Sequence, residues 1–265
     1  MASLASTVVV LGLFVAATFF APGGVQFRHF FFDPHQMWAS LLGNNRGLAS
    51  VGKGIWTNIW MFCLCEVLVL ILGLLLAWVR ITTSAILAPL RMLATVYTDV
   101  FRGIPILLVF IIVGFGLSEL NIGWISQQNP PFYGCMAITI TYTAYVAEVY
   151  RAGLHSVPNG QILAARSLGL SEATTMRRVI LPQAIRTVIP PLLNDFISMQ
   201  KDTALVSILG ITEAVQSAQI NAAQSFNDSG LVVAALLFLC MTIPLTRFTD
   251  GLIDRDRARR LVAAR

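Results

Sequence analysis

Among the polar or ionisable side chains that interrupt the apolar stretches of this sequence, six stand out as candidates for a substrate path: Glu66, Tyr142, Asn194, Asp195, Lys201 and Asp202. Charge is costly inside hydrocarbon, so residues of this kind mark a functional path by default. The types present include both signs of charge. Glu66 or Asp195 offers an acceptor for an ammonium group, and Lys201 offers a donor for a carboxylate. Tyr142 and its neighbour Thr143 add hydroxyls. A structural reading stands beside this one: Lys201 pairs with Glu66 or Asp202 only to make its burial tolerable, and Tyr142 serves packing. Helical rise places the groups in depth. Asp195 lies nine residues beyond Arg186, about 13 Å, and Lys201 fifteen residues beyond it, about 22 Å. Glu66 lies fourteen residues from Arg80, about 21 Å, so Glu66 and Lys201 are expected at similar depth on different helices. Pro190-Pro191 removes backbone donors just before Asn194 and is expected to break the helix there. Such a break beside polar side chains suits a cavity or a moving joint.

Other chemistries fit less well. Gly47 to Gly54 nearly spells a phosphate-binding loop with Gly47, Gly52 and Lys53, but Gly54 stands where a magnesium-binding Ser or Thr belongs, and no strand precedes it. Cys63, Cys65, Cys135 and Cys240 lie in apolar runs without zinc-ligand spacing and read as buried small hydrophobes. The net charge of +5 comes from basic residues flanking apolar spans, which argues against nucleic acid as a partner.

The elements that must position these groups are membrane spans. Of 265 residues 56% are hydrophobic and only 12% charged, about half the charge of a soluble domain. Apolar segments fall at about 4–21, 57–79, 95–119, 131–150, 184–209 and 230–247. A crossing helix needs roughly 20 residues. The fifth segment carries Asn194, Asp195, Lys201 and Asp202, and it is kept because the loop charges require a crossing there. Basic residues set the orientation. Nine arginines in one set of loops and five in the C-terminal tail, fourteen of eighteen basic residues, place 80–102, 151–186 and the C-terminus in the cytoplasm. Residues 22–56, 120–130 and 210–229 then face outward, with Phe30 and Trp38 as interface anchors. Residues 1–27 carry no charge, so the first segment reads as a retained helix in preference to a signal peptide.

The most ordered polar segment is 156–182. Pro158-Asn159-Gly160 is a turn. Gln161 to Leu168 is helical in composition, with Ile162, Ala165 and Leu168 on one face. Gly169 suits a left-handed C-cap. Ser171 then caps a second short helix with Glu172 in its first turn, and Pro182 is expected to end it. The small Ala164 and Ala165 allow close approach of another surface.

This segment resembles the loop of ATP-binding-cassette (ABC) importer permeases, whose pattern runs Glu-Ala-Ala, three residues, Gly, nine residues, Ile-x-Leu-Pro. Ala164, Ala165, Gly169, Leu181 and Pro182 stand in register, while Leu163 replaces the Glu and Val179 the Ile. Phe101-Arg102-Gly103-Ile104-Pro105, Ala147-Glu148-Val149-Tyr150-Arg151-Ala152-Gly153 with Ser156-Val157-Pro158, and Asn194-Asp195-Phe196-Ile197-Ser198 with Lys201-Asp202-Thr203 resemble the polar amino acid permeases of that family. The likeness covers about residues 55–250.

The resemblance implies an all-α polytopic membrane protein: a five-helix permease core plus one extra N-terminal transmembrane helix. It covers the permease domain at 55–250; hydropathy and charge add the hydrophobic helix at 1–22, extra transmembrane or signal-like, the extracytoplasmic loop at 23–54 and the basic cytoplasmic tail at 251–265. The expected role is the translocation path for a polar amino acid in a bacterial plasma membrane. Expected partners are a cytoplasmic ABC ATPase dimer, a second permease, identical or paralogous, and an extracytoplasmic substrate-binding protein. The ATPase would dock on Gln161, Ala164, Ala165, Gly169, Leu181 and Pro182. The chain itself would catalyse no bond chemistry and bind no cofactor, with ATP and magnesium held by the ATPase. Two other classes stay open on the residues: an ion-coupled secondary transporter using Glu66 and Asp195, and a membrane anchor subunit.

Overall fold

A computed structural model of the protein describes residues 23–43 and 48–263, five positions between 9 and 16, and side chains through residue 254. Most of the apolar segment at 4–21 therefore lies outside the described residues, as do Arg46, Gly47 and the side chains of the tail arginines. Every regular element among the described residues is helical. In chain order these are α1 (Gly24–Phe31), α2 (Pro34–Leu42), α3 (Val51–Ile81), α4 (Ala88–Gly103), α5 (Ile106–Glu119), α6 (Pro130–His155), α7 (Asn159–Ser167), α8 (Glu172–Thr175), α9 (Leu181–Asp202), α10 (Ala214–Ser225) and α11 (Ser229–Ala263).

The chain divides into two compact units, the first Met1–Asn58 with Thr212–Cys240, the second Ile59–Ile211 with Met241–Arg265. The first unit holds helices where the sequence suggested loops. Asp33-Pro34 starts α2: the Asp33 carboxylate accepts from the N–H groups of His35 (2.9 Å) and Gln36 (3.3 Å), and Pro34 sits where no N–H is needed. Glu213 caps α10 by accepting from Gln216 N–H at 2.7 Å. Asn221 grips the chain before α3, accepting from Ala49 N–H and donating to its carbonyl, both at 2.8 Å. Val51, Ala214, Ala218, Val233 and Ala234 form the buried centre of this unit.

The second unit packs α6 at its centre. Gly73 of α3 approaches α6 so closely that a β-carbon there would sit 2.7 Å from Val146. Gly153 of α6 meets Val188 of α9 in the same way. Among the described residues, only α3 and α11 are both long and apolar enough by composition to cross a membrane; α4 and α5 pass together but are bent, as a broken span or a re-entrant loop would be. Helices α6 and α9 have 26 and 22 residues, so they reach roughly 39 and 33 Å. Their length suffices; polar residues on faces turned toward protein lower their hydropathy.

Four expectations change. The segment at 95–119 is a broken element, because α4 and α5 bend by 108° at Ile104-Pro105. The proline disfavours helical backbone at Ile104, which is extended at ψ 133°. Pro190 and Pro191, in contrast, lie inside an unbroken α9. Their fixed φ is itself helical, and packing of Ala184 and Val188 against Gly153 holds the helix there. Pro182 does not end a helix but opens one: α8 runs through a π-turn at Met176–Ile180 into α9, where Pro182 occupies the first turn. Finally, Cys65 and Cys135 are buried as expected, whereas Cys63 and Cys240 are exposed on apolar helices.

Candidate functional site

Three of the six polar residues meet in one cavity. Asp195, Ser198 and Asp202 recur at helical spacing along one face of α9. With Tyr142 and Tyr145 of α6 and the Arg102 to Ile106 stretch at the α4–α5 break, they line a space of about 440 Å³. Its size is ordinary for a small-molecule site. The Tyr142 hydroxyl donates to Asp202 Oδ2 at 2.7 Å. Asp195 Oδ2 is buried and has no hydrogen-bond partner among the described residues. Glu66, on α3, lies within electrostatic range of Asp195 without lining the cavity.

The remaining two lie elsewhere. Asn194 and Lys201 are seven residues apart and share a different, exposed face of α9. No ion pair joins Lys201 to Glu66 or to any other acid among the described residues. One helical step from Asp202 to Lys201 is about 100° of rotation, which is why similar depth did not bring Lys201 to the cavity. Thr143 lines a separate, apolar space with Leu72, Leu76 and Tyr97.

The cation facing the cavity is instead Arg102, which the sequence offered as a marker of orientation and as part of the Phe101–Pro105 motif, not as a substrate-path residue. A second space of about 340 Å³ shares Arg102, Tyr145 and Asp195 with the first and extends past Glu148, Gly153 and Thr187. Glu148 gathers three arginines. Its Oε2 accepts from Arg80 Nη1 (2.7 Å) and Arg151 Nε (3.0 Å), and its Oε1 accepts from Arg151 Nη2 (2.5 Å). Arg102 comes no nearer than 3.9 Å. With both oxygens engaged, Glu148 leaves the Arg102 guanidinium only loosely held, and its side chain is 42% exposed. Tyr97 anchors α4 by donating to the Ile140 carbonyl at 2.6 Å, which fixes where Arg102 emerges. The signal for Arg102 was its place beside Gly103 and Pro105, where a helix must stop.

The 156–182 segment forms the two capped turns its composition suggested. Gly169 has φ +78°, the left-handed cap. Ser171 Oγ accepts from Thr174 N–H at 3.3 Å. Gln161 Oε1 accepts from Gln183 at 2.7 Å, tying α7 to α9, and Arg166 donates to Glu172 at 2.9 Å. Gln161, Ala164, Gly169, Leu181 and Pro182 are exposed, whereas Ala165 is buried. Leu168 does not join Ile162 and Ala165 on a covered face; it lies past the end of α7 and is 81% exposed, and Leu163 is 63% exposed.

The near-match to a phosphate loop is explained by packing. Residues 52–54 lie in the first turn of α3, not in a loop. A β-carbon on Gly54 would lie 2.5 Å from the Glu213 carbonyl carbon, and one on Gly52 would lie 2.9 Å from the Leu41 oxygen. These glycines admit neighbouring backbone.

Comparison with known proteins agrees with this architecture. Residues 69–257 match the family of the binding-protein-dependent transport system inner membrane component. The chain is 36% identical over 177 residues to the probable glutamine ABC transporter permease protein GlnM of Bacillus subtilis, covering 66% of this chain and 79% of that one. It is 31% identical over 205 residues to the arginine transport system permease protein ArtQ of the same organism, covering 77% and 90%. Among solved structures, an amino acid ABC transporter with histidines superposes with a TM-score of 0.71 at 30% identity, covering 77% of this chain and 93% of that one. An inward-facing MetNI methionine ABC transporter superposes at 0.60 with 16% identity, over 84% and 99%, and shares the fold. The chain belongs to the family of binding-protein-dependent transport system inner membrane components.

Proposed function

We propose that this chain forms the translocation path of an importer for polar amino acids, and that the amino acid sits between Arg102 and the carboxylates of Asp195 and Asp202. As a member of its family the chain is a transport subunit, not an enzyme; ATP hydrolysis belongs to a separate subunit. The observation that carries the substrate reading is the composition of the cavity: one loosely held guanidinium faces two carboxylates across a space within the helices. Those are the groups a zwitterion needs, since charge-assisted pairs bind its two ends and fix its direction. Relatives named for glutamine and arginine support the solute class.

The rest of the assembly is carried over from the family, and the charge pattern and the loop are consistent with it. The basic loops and tail face the bacterial cytoplasm. There an ABC ATPase dimer carrying ATP and magnesium docks on 156–182, through Gln161, Ala164, Gly169, Leu181 and Pro182, with Ala165 shaping the turn from inside. A second permease subunit completes the path, and an extracytoplasmic binding protein delivers the amino acid. The deciding experiment is Arg102→Gln. Uptake should fall at least about tenfold, the size of a lost charge-assisted contact, while the ATPase still co-purifies. Normal uptake of every amino acid tested would remove Arg102 from the site.

A further inference from the structure

An apolar groove runs down the second unit where α3 and α6 meet. Leu64, Leu68 and Leu72 recur every four residues along one face of α3, and Phe132, Met136 and Ile140 do the same on α6. These are the walls of a space of about 660 Å³, with the more deeply buried Cys135 and Thr139 between them. The three leucines are 38–47% exposed, so among the described residues nothing covers this side of the groove. Tryptophans set its level in a membrane. Trp60 lines the mouth, and Trp124 packs on the lining residue Phe132 with ring centroids 5.8 Å apart. Trp78, also exposed, lies eighteen residues from Trp60 along α3, about 27 Å. Tryptophan collects at both surfaces of a bilayer, and the hydrocarbon between them is about 30 Å thick. The mouth therefore lies at one membrane surface, at the end of the helices away from the basic loops. From Trp60 to Leu72 the groove descends twelve residues, about 18 Å, slightly more than one leaflet. Beyond Leu72 a second apolar space of about 350 Å³ continues to Val79.

Shape and chemistry decide among the occupants. About 660 Å³ spread over about 18 Å leaves a cross-section of about 37 Å², roughly 6 Å across. A helix with its side chains is about 10–12 Å in diameter and is too wide to enter. Water needs two to four polar partners. Below Trp60 and Asn129 at the mouth, the one side-chain oxygen or nitrogen of the lining is Thr139 Oγ1, and it is buried. An anion finds few donors at the adjoining start of α6, because Pro130 and Pro131 carry no N–H. Left empty, the walls would forfeit their contacts on one side. We propose that this groove binds one acyl chain of a phospholipid from the leaflet at its mouth, and that it holds the lipid by the chain and not by headgroup charge. The chain runs past Leu64 and Leu68 to Leu72. Trp60 and Asn129 face the polar ester region at the top, where a ring with an apolar body and an N–H donor belongs.

The test reconstitutes the complete permease complex in bilayers of dioleoyl-phosphatidylglycerol or dioleoyl-phosphatidylcholine, extracts it in mild detergent, and counts retained phospholipid per chain by native mass spectrometry. Leu68→Trp and Met136→Trp each push an indole into the groove from opposite walls. Val67→Trp is the control at the same depth, since Val67 is 57% exposed and lines neither space. Both groove variants should retain one lipid fewer per chain than the unaltered complex and the control, with either headgroup. Didecanoyl-phosphatidylglycerol, whose chains end short of Leu72, should be lost from the unaltered complex as well. Equal retention in all variants overturns the site, as does an unaltered complex that retains no lipid. Retention of phosphatidylglycerol without phosphatidylcholine overturns binding by the chain. If the groove variants release another protein subunit and not a lipid, the face is a subunit contact and the proposal falls.

Discussion

Gly54→Ser restores the hydroxyl that a phosphate-binding loop needs, and it should damage the protein through its β-carbon alone. That carbon would lie 2.5 Å from the Glu213 carbonyl carbon, 2.6 Å from the Glu213 oxygen and 2.6 Å from the Ala214 nitrogen. Carbon atoms in good contact are about 3.5–4.0 Å apart, so the overlap is near 1 Å. All three partners are backbone, and no side-chain rotation relieves the clash. The start of α3 must therefore move away from α10, which strains the Asn58 donation to Glu213 at 3.0 Å and the Asn221 bonds to Ala49. Overpacking alone costs about 1–3 kcal/mol. Weakening a buried bond to a carboxylate adds about 1.5–3 kcal/mol. A total of about 2.5–6 kcal/mol should lower the melting temperature by on the order of 10 °C in a chain of this size.

The assay is thermal unfolding of the detergent-solubilised permease complex, read as loss of the monodisperse chromatographic peak. Gly54→Ala should fall with Gly54→Ser, because the methylene is common to both. Gly116→Ala serves as the control: nothing lies within 4 Å of a β-carbon there, and an alanine in a helix is neutral or favourable. If Gly54→Ser melts like the unaltered protein, or gains nucleotide binding in the isolated chain, the packing account of this glycine is wrong.

Two further predictions address the charged groups. Glu148→Gln keeps one acceptor but strips the counter-charge from Arg80, whose side chain is only 9% exposed; breaking such a pair costs about 3 kcal/mol, read as faster thermal inactivation, and unchanged inactivation would show that the arginines do not depend on Glu148. Glu213 is fully buried, and desolvation raises its pKa above the ordinary range despite accepting bonds from Val215, Gln216, Asn58 and Ala214. A carboxyl whose folded pKa exceeds its unfolded value stabilises the fold on protonation, so acidification through the folded pKa raises stability and a rise in pH removes that gain. The difference in melting temperature between the unaltered chain and Glu213→Gln should therefore shift in favour of the unaltered chain as pH falls from 8 to 5, and a difference that stays flat sinks the claim.

What the sequence made legible followed local rules. Gly169, Ser171 and the turn at Pro158 are decided by backbone chemistry within four residues, and they appear in place. A crossing by α9 was suggested only through charge, because Asp195 and Asp202 lower its average hydropathy, and α9 is not among the helices apolar enough to cross by composition. Direction around a helix was less accessible. Depth along the axis placed Glu66 and Lys201 level, yet the 100° step between neighbouring residues decides which of Lys201 and Asp202 faces inward, and no local pattern reports it. Helices α1, α2 and α10 were missed because their cores are made in pairs distant in the chain, such as Asn221 with Ala49. The signals at Asp33-Pro34 and at Glu213 ahead of α10 were present, but the surrounding composition was read as loop. The two prolines in the interior of α9, Pro190 and Pro191, and the one at 105 illustrate the same limit. Each removes a donor; only Pro105 ends a helix, because Ile104 before it lies extended beside Gly103 and the chain has room to turn.

That turn bears on how an arginine enters the middle of such a protein. On an uninterrupted span a guanidinium must be matched on its own level by neighbouring helices, or it drags water into the membrane. Breaking the helix at Gly103–Pro105 changes the requirement. The end of α4 delivers Arg102 to the cavity wall while Ile106 starts α5 on the same wall, and the first N–H groups of a helix lack partners within it. A guanidinium and a helix start then share one side of the cavity, facing carboxylates on the other. Straightening the break by Pro105→Ala would let Ile104 become helical and carry Arg102 out of that opposition. It would do so without altering any charged residue, so the loss of solute binding expected from it would come from direction alone.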